Sequence, residues 1–164
     1  MLAIGAAATR KVVEMLAGGT GLPFTVANLG QQENAELAPI EAAQIASANV
    51  AFETIEKTEG ATYPAVYVYC EKLDNTLREK FRTFSGTVGM AVEIRVSHDR
   101  LERLARDVQL YAAAAAEVLD SGRGDWGSGM FYAGGYEVAF GPVKRGGKNF
   151  LEAAKISFDV DVSY

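Results

Sequence analysis

His98 and Asp99 stand side by side, and because His98 is the only histidine, any imidazole base in this chain must be that residue. A nucleophile to work with it would be its neighbour Ser97 or the only cysteine, Cys70. No third group stands in a motif that would orient the imidazole. The simpler expectation is that His98 forms the polar end of a strand where a helix begins. Cys70 then packs on a strand face shared with Val66 and Val68. Asp159 and Asp161 offer a second chemistry. On a strand they share one face about 7 Å apart, a separation that suits paired-carboxylate acid–base work or a hard cation. Lys155, Ser157 and Ser163 fall on the same face, and no Asp-rich calcium loop accompanies the pair. A solvated or lumen-facing polar surface is the expectation there.

Gly122-Arg-Gly124-Asp-Trp-Gly127 fits the G-x-G-x-x-G string whose amides cradle a pyrophosphate in dinucleotide-binding folds. That chemistry needs a helix to follow the glycines, whereas this string follows a helical pattern and enters a strand region. It is read as a helix C-cap and a flexible loop. The Arg123-Gly124-Asp125 tripeptide within it is too short to carry an adhesion function. A single cysteine excludes an intramolecular disulfide and a Cys-rich zinc site. The expectation is therefore no catalytic residue, no cofactor and no metal. The sequence instead offers candidates for touching a partner. Lys144, Arg145 and Lys148 surround Gly146-Gly147 at an expected hairpin tip, and Arg123 and Trp126 lie in the glycine-rich stretch.

Elements must position these groups, and their periodicities differ in clarity. Ile4, Ala8, Val12, Val13 and Leu16 predict a first helix closed by Gly18-Gly19. A turn over Gly18 to Pro23 leads to a brief strand at Phe24 to Leu29. Residues 31 to 60 are of uncertain structure: Gln31 to Ser47 has a helical reading around Pro39, and Ala48 to Glu56 a partial strand alternation. Tyr63 to Cys70 predicts a strand covered at least partly on both faces, with Pro64 at its first residue. Val88, Met90, Val92, Ile94 and Val96 alternate with Thr87, Gly89, Ala91, Glu93, Arg95 and Ser97, which predicts a strand with one core face and one wet face. Asp99 and Glu102 have capping-box spacing before a helix whose buried stripe is Leu101, Leu104, Val108, Tyr111, Ala115, Val118 and Leu119. Arg100, Glu102, Arg103, Arg106 and Asp107 decorate its solvent side, and Ala112 to Ala116 permit close packing. Strands follow near Met130 to Tyr132 and Tyr136 to Phe140. The last, Ile156, Phe158, Val160, Val162 and Tyr164 against Lys155, Ser157, Asp159, Asp161 and Ser163, is expected as a terminal edge strand. The sum is one α+β domain over 1–164, a mostly antiparallel sheet covered on one face by two or more helices.

Bulk properties narrow the function. At 164 residues, 23% charged, the chain has the size and composition of one folded domain and not of a disordered or collagen-like segment. A net charge of -5 disfavours tight general DNA binding, while leaving a surface past which DNA can slide. No run approaches the roughly 18 apolar residues that span a bilayer, and the first residues have the wrong charge order for a secretory signal. Synthesis in a reducing cytoplasm is expected.

Five stretches then carry a resemblance. Tyr63-Pro-Ala-Val-Tyr-Val-Tyr-Cys-Glu, Lys80-Phe-Arg-Thr-Phe-Ser-Gly, Met90-Ala-Val-Glu-Ile-Arg-Val-Ser-His-Asp, Gly124-Asp-Trp-Gly-Ser-Gly-Met-Phe-Tyr and Gly146-Gly-Lys-Asn-Phe resemble, in order and wording, the tail terminator or neck proteins of tailed bacteriophages. The resemblance covers roughly residues 60 to 164. It implies an α+β virion subunit, made in the host bacterial cytoplasm. Such subunits form a ring, usually a hexamer, on the finished tail tube and present a docking face to the head connector or stopper protein. Genome DNA passes through the channel without specific binding. The alternatives are a head-completion or stopper neck protein and, more distantly, a small hydrolytic enzyme using His98 and nearby carboxylates.

Overall fold

The long alternation at residues 88–96 becomes the spine of the molecule. In the computed structural model, which describes residues 3–51 and 62–164, β3 (Ser85–His98) pairs along its whole length with β8 (Asn149–Ser163). β2 (Ala65–Asp74) lies antiparallel on the other side of β3, and the short β1 (Ile45–Ser47) adds to β2 in parallel. The second edge of β8 is shared out. β5 (Met130–Tyr132), β6 (Glu137–Phe140) and β7 (Lys144–Gly146) each pair with a different part of it, and β4 (Gly124–Gly127) completes the sheet beyond β5. This is the expected α+β architecture, an eight-stranded and mostly antiparallel sheet.

Helices cover one face. α1 (Ile4–Ala17) lies on β1, β2 and β3, α3 (Leu101–Ser121) lies on β3 and β8, and α2 (Leu22–Gln32) packs on α3. The core between them joins Val12 and Leu16 of α1, Leu104, Val108 and Leu119 of α3, and the even-numbered β3 and β8 residues such as Val92, Ile94, Ile156 and Val160. These side chains are fully buried, so each removes its apolar area from water at roughly 25 cal/mol per Å². Among the described residues, no helix is long and apolar enough to cross a membrane.

Several expectations are corrected. The brief strand at Phe24 to Leu29 is the middle of α2. Pro23 sits in its first turn, where no amide is needed, and Leu22, Thr25 and Val26 turn inward at helical spacing. Residues 31–47 are not a long helix: after α2 they hold a 3-10 turn at Ala42–Gln44 and then β1. Residues 48–51 form no strand, and the rest of the alternation expected up to Glu56 lies outside the described residues. The capping box does not form. The helix N-cap is Arg100, whose backbone N–H donates to His98 Nδ1 at 2.9 Å, so a side chain from outside the helix takes up one of the free amides. Leu101 is exposed and Asp107 is buried, the reverse of their expected places, with Arg106 closing on Asp107 at 3.1 Å. The glycine-rich stretch is a β4–β5 hairpin, turning through positive φ at Gly127, Ser128 and Gly129.

β8 is not an edge strand. It lies at the centre of the sheet, and its end is fastened because Tyr164 N–H donates to the Phe84 carbonyl at 2.8 Å. The second face of β3 is not uniformly wet either: Ala91 and Arg95 are both buried.

Candidate functional site

The helix-free face of the sheet collects the polar side chains. The registers bring Tyr67, Tyr69 and Lys72 of β2, Thr87, Gly89, Ala91, Glu93 and Arg95 of β3, and Lys155, Ser157, Asp159 and Asp161 of β8 onto this side. A β-bulge sets Glu71 between Cys70 and Lys72. Three ion pairs then settle part of the charge: Lys155 with Glu71, Lys72 with Asp74 at 3.5 Å, and Arg95 with Glu93 at 3.1 Å. Glu137, Asp159 and Asp161 remain exposed and have no ion-pair partner among the described residues. Between β3, β8 and the turn before β6 lies an open recess of about 430 Å³, walled by Glu71, Glu137, Asp159 and Tyr136. Gly89 forms part of its floor, and Gly134 and Gly135 shape its rim with left-handed backbone.

One end of this face is closed by a buried cation. The Arg95 guanidinium lies 4.5 Å from the Tyr67 ring centre and donates to Glu93 and to the Val50 carbonyl. Tyr69 O–H donates to the other oxygen of Glu93 at 3.2 Å. Burial, and next the nearby Glu93 charge, push the Tyr69 phenol up to about 12. At the other end the β2–β3 connection, residues 75–84, leaves the sheet and carries exposed Leu77 and fully exposed Phe81. Its neck is tied by Asn75, whose Oδ1 accepts from Ser85 N–H at 2.8 Å and whose Nδ2 donates to the Thr83 carbonyl at 3.1 Å. A hydrogen bond with Thr76, assisted by Lys72, holds the Asp74 carboxyl below its ordinary range.

The structure keeps the anticipated chemical groups apart. His98 pairs with Phe150 and Gly89 with Asp159, so nine residues of β3 separate the histidine from the aspartate pair, about 30 Å at strand rise. Cys70, partly buried, faces the helix layer beside Gly5, on the opposite side of the sheet from Asp159 and Asp161. Asp159 and Asp161 do share one exposed face, as expected. Among the described residues no group of His, Cys, Asp and Glu is arranged to hold a metal ion.

The partner-contact candidates also divide. Lys144, Arg145 and Lys148 stand exposed on the β7–β8 hairpin, where Gly147 takes the positive φ its turn needs. Arg123 and Trp126 belong with β4 and β5 at the other end of β8. Arg123 pairs with Asp120 at 3.0 Å. Trp126 turns inward: its Nε1 donates to the Gly122 carbonyl at 2.7 Å, and its ring lies 5.4 Å from that of Tyr132, which in turn meets Phe158 at 5.3 Å. It clasps the hairpin to the core. Phe81 and its flanking cations are a surface feature that the sequence candidates do not include. Their signal is a phenylalanine between Lys80 and Arg82 in a stretch without strand or helix period.

No protein-family model matches the chain, and no curated protein matches it.

A further acidic group lies on the core face. Glu152 pairs with Val96 near the end of the sheet and is 8% exposed, and its Oε2 is buried with no hydrogen-bond partner. Burial raises its pKa above the ordinary value. The folded state therefore holds the proton more tightly than the unfolded chain. Stability from this group is present below the unfolded pKa and is lost as pH rises through the folded one. Glu152→Gln is expected to stabilise the fold by about 1 kcal/mol at pH 7, with a gain that vanishes below pH about 4. Urea denaturation at the two pH values measures this, and an equal gain at both would contradict it.

Proposed function

We propose that this chain is a structural virion subunit, a tail terminator that self-associates as a ring on the tail tube, ends its elongation and offers a docking face to the head connector. The observation that supports the non-enzymatic part is the scatter of reactive groups among the described residues: Cys70 and the Asp159–Asp161 pair lie far from His98, and Ser97, on the opposite strand face from its neighbour His98, accepts from Asn149 Nδ2 at 3.2 Å. The same surface supports an assembling role. The sheet face opposite the helices keeps an open recess and exposed carboxylates, and a loop with a bare phenylalanine projects from its end. Net charge of -5 suits a channel through which DNA passes without adhering. The resemblance of residues 60 to 164 to tail terminator or neck proteins supports the specific position, that of a terminator.

The test is reconstitution. Purified protein added to growing tail tubes is expected to cap them at fixed length and to appear as a ring with an opening wide enough for duplex DNA. Protein that stays monomeric and leaves tails growing overturns the proposal. Labelled protein found on tail-free heads, and not on headless tails, would replace the terminator position with head completion.

A further inference from the structure

We propose that the loop of residues 75–84 is a knob that inserts Phe81 into the recess beside Glu137 and Asp159 of a second copy of this chain. This deepens the self-associating reading above and rests on it. Phe81 is fully exposed, and its backbone is held at a φ of 64°, a left-handed conformation unusual for a residue other than glycine. A large apolar ring displayed in this way gains by burial against a partner. Arg78, Lys80 and Arg82 surround it, all exposed and without an ion-pair partner among the described residues. The fourth charge of the loop, Glu79, is turned back to its own chain, where it accepts from Ser163 Oγ at 3.1 Å. The outward surface of the knob is therefore apolar at its centre and positive around it.

The recess is its complement. Its volume of about 430 Å³ exceeds what one phenylalanine ring needs, and Tyr136 lines it with aromatic carbon while glycines leave its mouth clear. Glu137 and Asp159 at its wall and Asp161 next along β8 are the carboxylates that this face leaves unpaired. Three unpaired cations on the knob thus face two unpaired carboxylates at the recess wall and a third, Asp161, outside it along β8. Opposite charges at a partly desolvated rim steer the approach, and the buried aromatic supplies the anchor. Knob and recess are different patches of the same chain. Such a heterologous contact, repeated, closes into a ring where its rotation allows.

The test mixes two crippled proteins. One variant, Phe81→Ala with Lys80→Glu, lacks the knob; the other, Glu137→Lys with Asp159→Lys, lacks the recess. All four side chains are exposed, so circular dichroism and thermal midpoints should match the parent. In sedimentation velocity at low salt, each variant alone is expected to associate at least about tenfold more weakly than the parent chain. The mixture retains one working knob and one working recess. It is expected to give heterodimers that do not grow, and added salt should weaken them. Parent-like association of the knob variant, or a mixture without heterodimers, overturns the inference. Tail capping by the parent chain reads the ring proposal separately. Capping without heterodimers rejects only this interface, and heterodimers without capping reject only the terminator role.

Discussion

Arg95→Ala is expected to lower the unfolding free energy by about 4 kcal/mol, a large share of the stability of a domain this size. Arg95 is 2% exposed on a face that simple alternation would leave to solvent. Its guanidinium holds together three parts of the molecule: the Tyr67 ring on β2, the Glu93 carboxylate on β3 and the Val50 carbonyl of the segment after β1. Removing it strands the Glu93 carboxylate, only partly exposed, with Tyr69 as its remaining partner, and unties residues 48–51. Breaking a buried pair from one side costs more than the pair contributes, because an uncompensated charge stays behind. Arg95→Lys should recover less than half of the loss, since an ammonium has no planar surface for Tyr67 and no fork to reach two acceptors at once. Combining Arg95→Met with Glu93→Gln should cost less than the two single changes added together, because the stranded charge is then absent. Urea denaturation of the five variants, the two single changes of the cycle included, measures these differences. A loss below 1 kcal/mol for Arg95→Ala would show that water takes over the contacts of the guanidinium.

Arg95 also marks where the sequence stops being legible. β3 and α3 were readable because each repeats its period long enough for one face to be assigned, and both formed where expected. Alternation tells which side chains share a face, but not what lies over that face. The segment that reaches Arg95 comes from the least periodic part of the chain. The position of β8 failed for a related reason: its pattern is the same whether its neighbours are absent or, as here, β3 on one side and β5, β6 and β7 on the other. Phe24 to Leu29 is too short to separate period 2 from period 3.6, and Pro23, read as part of a turn, begins a helix equally well. At the site, the sharing of one face by Asp159 and Asp161 followed from β8 alone. The recess beside them did not, since its other wall comes from Gly134 to Glu137 and from the bulged Glu71. Such long-range neighbours are set by packing and leave no local period.

Gly86→Ala is expected to destabilise the protein by roughly 3 kcal/mol and to weaken self-association in the molecules that still fold. Gly86 opens β3, where the returning chain passes against the end of β2. A Cβ placed there would lie 1.8 Å from the Asp74 carbonyl oxygen and 2.8 Å from its carbon. Both are backbone atoms, so no side-chain rotation relieves the overlap, and the strands must part. The adjoining Asn75 contacts with Ser85 N–H and the Thr83 carbonyl would be the first lost, together with the Leu77 N–H bond to the Ser85 carbonyl at 3.1 Å. Those bonds set the angle at which residues 75–84 leave the sheet. Displacing them moves Phe81 and its three cations as a unit, while the recess on the face below keeps its β8 and β6 walls. The double character of the defect is testable in the mixing experiment. Gly86→Ala protein should still serve as the recess partner of a chain with an intact knob, and should fail as the knob partner of a chain with an intact recess. Equal loss in both roles would mean that the strain spreads through β3 to Gly89 at the recess floor, three residues along the same strand.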